Sequence, residues 1–262
     1  MNTGFIGCGN MASAMIRGIL GSGAAGVQEL MASARREESL ARIRSEFGIK
    51  TGTNREVAAF ADVLFLAVKP KMYAQVIEEI SGSVRDDTVV VSMAPGKSLQ
   101  LLSQMFGRPV RLIRIMPNTP AQVGEGMTGV CPGAEVPEVA LAQVMRLLEA
   151  FGKAAVVDEH LMDAVTAVSG SSPAYVFMFI EALADGAVAE GMTRKDAYLF
   201  AAQAVLGSAK MVLESGLHPG ELKDMVCSPA GTTIDAVASL EKNGLRSAVM
   251  EAVRVCAAKS RG

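Results

Sequence analysis

The chain has 262 residues, half of them hydrophobic, and a net charge of −2. That length buries roughly three quarters of the unfolded surface and lies near the size at which one core divides into two. With a pI near 5.8 the chain lacks the basic footprint of a nucleic-acid binder, so no nucleic-acid partner is expected. Unbroken apolar runs such as 63–68 and 174–180 fall far short of the ~20 residues of a spanning helix, so no membrane partner is expected and the protein is read as soluble. The start MNTGF has no basic region leading into an apolar one, and no secretory signal is expected. Cys8, Cys131, Cys227 and Cys256 are far apart and form no CxxC pair, which argues against a zinc site or a disulfide scaffold and for a reducing cytoplasm. Small-molecule chemistry is what remains.

The first predicted strand, 3–6, runs into Gly7-x-Gly9-x-x-Ala12, and a helix with Met11, Met15 and Ile19 on its apolar face follows. In such a turn the first glycine permits the bend, the second lets backbone approach a pyrophosphate, and the small third residue lets helix pack on strand. Free N–H groups and the dipole at the helix start then face the phosphates. A plain strand-to-helix turn carries the same pattern, so a companion feature is needed. The second strand, 29–33, ends in Ser33-Ala34-Arg35-Arg36. Where an acidic residue would accept from a ribose 2′-hydroxyl, two guanidinium groups and a hydroxyl stand instead. Charge-assisted bonds from arginine suit a 2′-phosphate, so NADP(H) is favoured and NAD(H) is possible. The alternative is a solvated pair neutralised by Glu37 and Glu38.

Further strands are expected at 63–68, 88–92, 110–115 and 154–157, alternating with helical patterns, which implies right-handed βαβ units and a mostly parallel sheet. Ligands in such a sheet sit beyond the carboxyl ends of the strands. Lys69, Ala94 and Asn118 follow strand ends and are candidates for the nicotinamide side, with ordinary turn chemistry as the alternative for each.

After Asp158 helices take over, at 161–168, 173–191, 194–215 and on to the end. The α/β half is placed at 1–155 and the all-α half at 156–262. Alanine, glycine and methionine occupy nearly every face of the long helices, and a helix apolar all round is buried all round. One small domain offers too little interior for several of them, so they are expected to interlock with a second subunit. The whole chain has only His160 and His218 for proton chemistry. Two hydroxyl-rich loops, 168–175 and 227–234, precede helices and offer free N–H groups with hydroxyl donors, enough to hold a carboxylate without arginine; simple N-capping is the alternative.

The segments SGSSPAY, EALADGAVAEGMTRKDA, AAQAVLGSAKMV, HPGELKDMVCSPAGTTI and the opening GFIGCGNMA resemble pyrroline-5-carboxylate reductase from end to end. The HPGELKDMVCSPAGTTI stretch is the most specific part. The resemblance implies NAD(P)H-dependent reduction of 1-pyrroline-5-carboxylate to proline, the last step of proline biosynthesis. It implies an N-terminal Rossmann-type dinucleotide-binding domain, an all-α dimerisation domain forming a homodimer, and assembly of dimers into a larger homo-oligomer. It implies that Gly7, Gly9, Asn10, Met11 and Ala12 bind pyrophosphate and that Ser33, Arg35 and Asn54 approach the adenosine ribose. Lys69, Ala94, Asn118 and Thr119 would lie near the nicotinamide. Ser228, with the backbone of Gly231 and Thr232, would hold the substrate carboxylate, and Thr233 would hydrogen-bond the ring nitrogen as the catalytic group. The family's usual SGSGPAY and SPGGTT are here SGSSPAY and SPAGTT, so Ser172 and Ala230 replace glycines. At a positive φ either replacement strains the loop by about 1 kcal/mol or more.

The implied reaction needs no strong acid, because an iminium arrives already positive and the protein has mainly to orient two reactants. A hydroxyacid dehydrogenase of similar layout would need a lysine or histidine base, and 173–191 contains neither. A nonenzymatic NADPH sensor is the rival of another class, and it would have no use for a second anion site such as the SPAGTT loop.

Overall fold

The computed structural model describes residues 1–261. They form two compact units: Met1–Ser171 together with the stretch from Cys256 onward, and Ser172–Val255. The first unit is built on β1 (Thr3–Ile6), α1 (Asn10–Ser22), β2 (Leu30–Ser33), α2 (Glu37–Phe47), β3 (Lys50–Thr51), α3 (Asn54–Phe60), β4 (Val63–Leu66), α4 (Tyr73–Ile80), β5 (Val89–Ser92), α5 (Leu99–Phe106) and β6 (Arg111–Met116). There follow β7 (Gly126–Pro132), α6 (Glu138–Glu149), β8 (Gly152–Val156) and a short α7 (Met162–Val165) that continues into a π turn at Thr166–Gly170. The strands make one sheet in the order β3-β2-β1-β4-β5-β6-β7-β8. Every pairing is parallel except β6 with β7.

The central strands β1, β4 and β5 are buried throughout. Helices cover both faces of the sheet, so these strands read as unbroken apolar runs rather than alternating ones. One core gathers Phe5, Met15, Ile16, Ile19, Phe65 and Leu147, with Phe5 and Phe65 stacked at 4.9 Å. The other gathers Leu64, Tyr73, Ile77, Val90 and Leu102.

The sheet has two strands that the sequence does not announce. β3 is a two-residue edge strand. β7 has the sequence GMTGVCP, whose glycines and proline read as turn. Gly129 is there because α7 packs directly on the strand: a Cβ at that position would meet Val165 Cγ1 at 2.6 Å. Glycine inside a strand marks such close approach.

The expected division between 1–155 and 156–262 falls at the last strand, whereas the compact sheet unit runs on to Ser171. Met162 is fully buried and packs with Met116 and Cys131, which keeps α7 on the sheet.

The second unit contains α8 (Ser172–Ala189), α9 (Arg194–Ser215), α10 (Pro219–Val226), α11 (Thr232–Lys242) and most of α12 (Leu245–Arg261). On α8 only Ala184 is buried, on α9 only Ala197 and Ala201, and on the other three helices none of the described residues is. Phe177 is 62% and Phe200 65% exposed. The stretch Glu159–Ala189 is long and apolar enough to cross a membrane by length and composition, with a mean hydropathy of 1.2. Its window is apolar on average although charged residues interrupt it, which an inspection of unbroken runs does not register.

Candidate active site

The glycine loop leaves β1 and enters α1. Gly7 adopts φ +87°, the left-handed region in which L side chains are strained, and a Cβ there would also strike Val68 Cγ1 at 2.8 Å and the Ala67 carbonyl oxygen at 2.9 Å. The Gly7 N–H donates to the Ser33 carbonyl at 3.1 Å, fastening the bend to the tip of β2. Gly9 is the N-cap of α1, no side chain caps the helix, and a Cβ on Gly9 would meet nothing within 4 Å. Space therefore lies in front of the loop, and the amides of Asn10, Met11 and Ala12 have no intrahelical acceptor. Ala12 is buried, the small residue that lets α1 sit close to the sheet. This is a cradle that fits a dinucleotide pyrophosphate. Burial pushes the Cys8 thiol inside the loop above its ordinary value, so it stays neutral.

At the tip of β2, Ser33 is buried and its hydroxyl donates to Asn54 Oδ1 at 2.7 Å. Asn54 opens α3 behind the capping residue Thr53. Arg35 and Arg36 are exposed, and among the described residues no carboxylate pairs with either guanidinium. Glu37, a neutralising partner in the alternative reading, pairs with Arg44 instead. Two free cations therefore stand where a ribose 2′ substituent is read in this kind of sheet.

Beyond β4 and β5 lie Lys69, which is exposed, and Ala94, which is buried. Between them is a residue the sequence reading does not single out. Tyr73 is fully buried at the start of α4. Its hydroxyl donates to the Leu66 carbonyl at 2.6 Å and lies 3.3 Å from both the Ser92 hydroxyl and the Met93 N–H. One phenol thus ties the tips of two adjacent strands. Burial raises its pKa, hydrogen bonds from Ser92 and Met93 opposing the shift, so it remains a donor. Its only sequence signal is an aromatic residue in an otherwise ordinary amphipathic turn.

Asn118 follows β6 and is buried. Its side-chain oxygen accepts from the Met127 N–H at 2.8 Å, and its amide donates to the Ser169 carbonyl at 3.0 Å. The side chain is largely committed to holding β7 and the π turn, while Thr119 beside it is exposed. In that turn the Ser169 hydroxyl donates back to the Val165 carbonyl, and Ser171 accepts from Cys256 Sγ at 3.2 Å. Three of the hydroxyl loop's polar groups thus serve the fold. An apolar groove of about 340 Å³ lined by Met127, Gly129, Ala155, Val157 and Leu161 also lies on this unit; it offers almost no polar group to a nucleotide.

In the helical unit, the loop before α11 is a tight turn in which the Gly231 N–H donates to the Ser228 carbonyl at 3.0 Å. Proline at the second position and a positive φ at the third define a type II turn, whose third residue is normally glycine. Here it is Ala230 with φ +54°, the only positive-φ residue other than glycine among those described. Ser172, the other departure from the family pattern, starts α8 and has no such angle. A Cβ on Gly231 would lie 2.3 Å from Ser228 Oγ, so glycine there is what lets the serine hydroxyl sit across the helix start. Gly231 is the N-cap of α11 and no side chain caps it. Thr232 and Thr233 are its first two residues, leaving uncapped amides beside two hydroxyls and the Ser228 hydroxyl. His218, by contrast, is spent on capping α10, its Nδ1 accepting from the Gly220 N–H at 3.0 Å.

Residues 159–262 match the family model described as pyrroline-5-carboxylate reductase dimerisation. Residues 2–96 match the model described as NADP oxidoreductase, coenzyme F420-dependent. The chain is 50% identical over 258 residues to a pyrroline-5-carboxylate reductase of Escherichia coli (strain K12), covering 98% of this chain and 96% of that protein. It is 44% identical to one from Methanosarcina acetivorans over 95% of this chain and 93% of that protein. Among solved structures it is similar to a pyrroline-5-carboxylate reductase from Coxiella burnetii, with TM-score 0.94, 33% identity, and 99% and 97% of the two chains covered. It is also similar to a Plasmodium falciparum pyrroline carboxylate reductase with NADP bound, with TM-score 0.90, 31% identity, and 100% and 97% covered.

Proposed function

The chain belongs to the pyrroline-5-carboxylate reductase family, and from that premise we propose how its residues divide the work of reducing 1-pyrroline-5-carboxylate to L-proline with NAD(P)H. It is an oxidoreductase that forms homo-oligomers and acts on a small molecule. The bound dinucleotide supplies the hydride. Gly7, Gly9, Asn10, Met11 and Ala12 hold its pyrophosphate through the open cradle and the free amides of α1, and Ser33, Asn54 and Arg35 read its adenosine ribose. Lys69, Ala94 and Thr119 line the nicotinamide side at the strand tips. Asn118 serves that side chiefly by fixing β7 and the π turn.

The substrate carboxylate is held by Ser228 Oγ and the Thr232 amide, an anion site that uses a helix N-terminus in place of an arginine; the Gly231 N–H, expected to join them, is spent on the Ser228 carbonyl and shapes the turn instead. The Thr233 hydroxyl hydrogen-bonds the ring nitrogen. Hydride adds to the imine carbon, the C=N π pair becomes the nitrogen lone pair, and the nitrogen ends protonated, either because the iminium arrives with its proton or because Thr233 conducts one from solvent. The observation that carries this assignment is the pairing of the uncapped start of α11 with Ser228 Oγ across Gly231.

We further infer a cofactor-binding domain over 1–155, a dimerisation and substrate domain over 156–262, assembly of dimers into a larger ring, and a cytoplasmic location supported by four free cysteines. The unpaired Arg35 supports a preference for NADPH over NADH. The membrane-length stretch Glu159–Ala189 lies wholly within the matched dimerisation segment, which supports a partner subunit, not lipid, as the cover for its apolar surface.

The test is turnover of NADPH with 1-pyrroline-5-carboxylate by Thr233→Ala. A fall of roughly 10²-fold in kcat, the low end for a proton-transfer group, is expected. A fall under about threefold would move the proton source to water.

A further inference from the structure

We propose that Glu79, a residue on α4 that reaches the ribose end of the site only through Asn54, tunes the choice between NADH and NADPH through a hydrogen-bond relay of fixed polarity. The proposal rests on the assignment of Ser33 to the adenosine ribose. Glu79 Oε2 accepts from Asn54 Nδ2 at 2.8 Å. An ionised carboxylate is acceptor-only, so the Asn54 amide must turn its NH2 toward Glu79 and its oxygen the other way. That oxygen is acceptor-only too, and it receives the Ser33 hydroxyl proton at 2.7 Å. Each link follows from the one before, starting from the one group that has no proton to give.

The consequence falls on Ser33, which is 2% exposed at the tip of β2. A serine has one hydroxyl proton, and here it is committed to Asn54, so what the residue offers a ligand is a lone pair. A ribose 2′-hydroxyl can donate to that lone pair. A 2′-phosphate, largely a dianion at neutral pH, has only acceptor oxygens and gains nothing from it. To donate to the phosphate, Ser33 would have to abandon Asn54 Oδ1 and leave a partly buried oxygen unpaired. The relay therefore favours NADH, against the pull of Arg35 and Arg36 on a 2′-phosphate, and holds the enzyme to a narrower NADPH preference than its two free arginines would set alone.

The substitution Glu79→Gln tests this, because a glutamine amide can both donate and accept. The relay can then reverse: the new amide donates to Asn54 Oδ1, Asn54 Nδ2 donates to Ser33 Oγ, and the serine proton is free for a phosphate oxygen. The ratio of kcat/KM for NADPH to that for NADH is expected to rise about threefold to tenfold, the net scale of one hydrogen bond exchanged against water. Asn54→Ala cuts the relay in its middle and should move the ratio the same way, which guards against a folding defect in the first variant. A merely structural role for Glu79 would change both cofactors' KM together and leave the ratio unmoved. Ser33→Ala separates the two possible failures. If it shifts the ratio while Glu79→Gln and Asn54→Ala leave it within about twofold, the site assignment stands and the relay is overturned. If Ser33→Ala moves neither KM, Ser33 does not face the ribose and the proposal falls with that assignment.

Discussion

At Ala230 the backbone takes φ +54° in a turn that ordinarily uses glycine. A Cβ in the left-handed region costs about 1 kcal/mol, and it is held there by the proline before it and the Gly231 N–H bond after it. Ala230→Gly is therefore expected to raise the unfolding free energy by about 1 kcal/mol, read from urea denaturation, with the substrate loop still competent. No gain would mean that the turn relaxes without cost around the alanine. Ser172→Gly should bring no such gain, because Ser172 begins α8 without a positive φ. The sequence marked both positions as departures from the family pattern, yet a residue's name does not carry its φ, and only the turn geometry separates the strained departure from the harmless one. Arg35 was legible in the same way, as a cation at a strand tip; that Glu37 turns away to Arg44 was not. Arg35→Ala should raise the KM for NADPH several-fold more than that for NADH, and an unchanged ratio in steady-state kinetics would remove it from the site.

At the scale of the elements, the cofactor side depends on how firmly the strand ends are held together. Tyr73 is the tie between β4 and β5, and Tyr73→Phe would leave the Leu66 carbonyl and the Met93 N–H short of a partner in a buried place. A loss of about 1–3 kcal/mol is expected, measured by denaturation, together with weaker NADPH binding by titration. Unaltered NADPH affinity despite the lost stability would show that the tie serves the core alone. The strand tips could be read from the sequence because Val68-Lys69-Pro70, Met93-Ala94-Pro95 and Met116-Pro117-Asn118 each end an apolar run in small or proline residues. β7 could not, because its glycines serve contacts made by residues far along the chain, such as Val165 on Gly129. Nor could the commitments of Asn118 and Tyr73, since a side-chain hydrogen bond to a distant carbonyl has no periodicity.

For the molecule as a whole, the helical unit leaves Phe177, Met178, Leu199 and Phe200 largely exposed, more apolar surface than single scattered residues account for. Oligomerisation covers such surface, so folding and association are linked. The thermal midpoint should rise with protein concentration, and Phe200→Glu should lower it while shifting sedimentation toward monomer. A midpoint independent of concentration over a hundredfold dilution, about the span over which mass action is readily seen, would detach the helical faces from assembly. The all-round apolar texture of these helices announced a partner because no small unit has enough interior for them. Their exact pairing is encoded between copies and leaves no trace in one chain's spacing.

The chain enters the helical unit after Ser171 and leaves it before Cys256, and those two residues share a hydrogen bond within the sheet unit; a few residues on, Ser260 donates to Asp163. In topological terms the helical unit is an insertion, with both of its ends fastened to one place. On the ribosome, where domains generally fold in the order they emerge, the sheet unit is therefore synthesised nearly whole but must wait for every helix of the insertion before it receives its closing turn. A chain shortened to residues 1–171 would not be a free-standing nucleotide domain but an unfinished one.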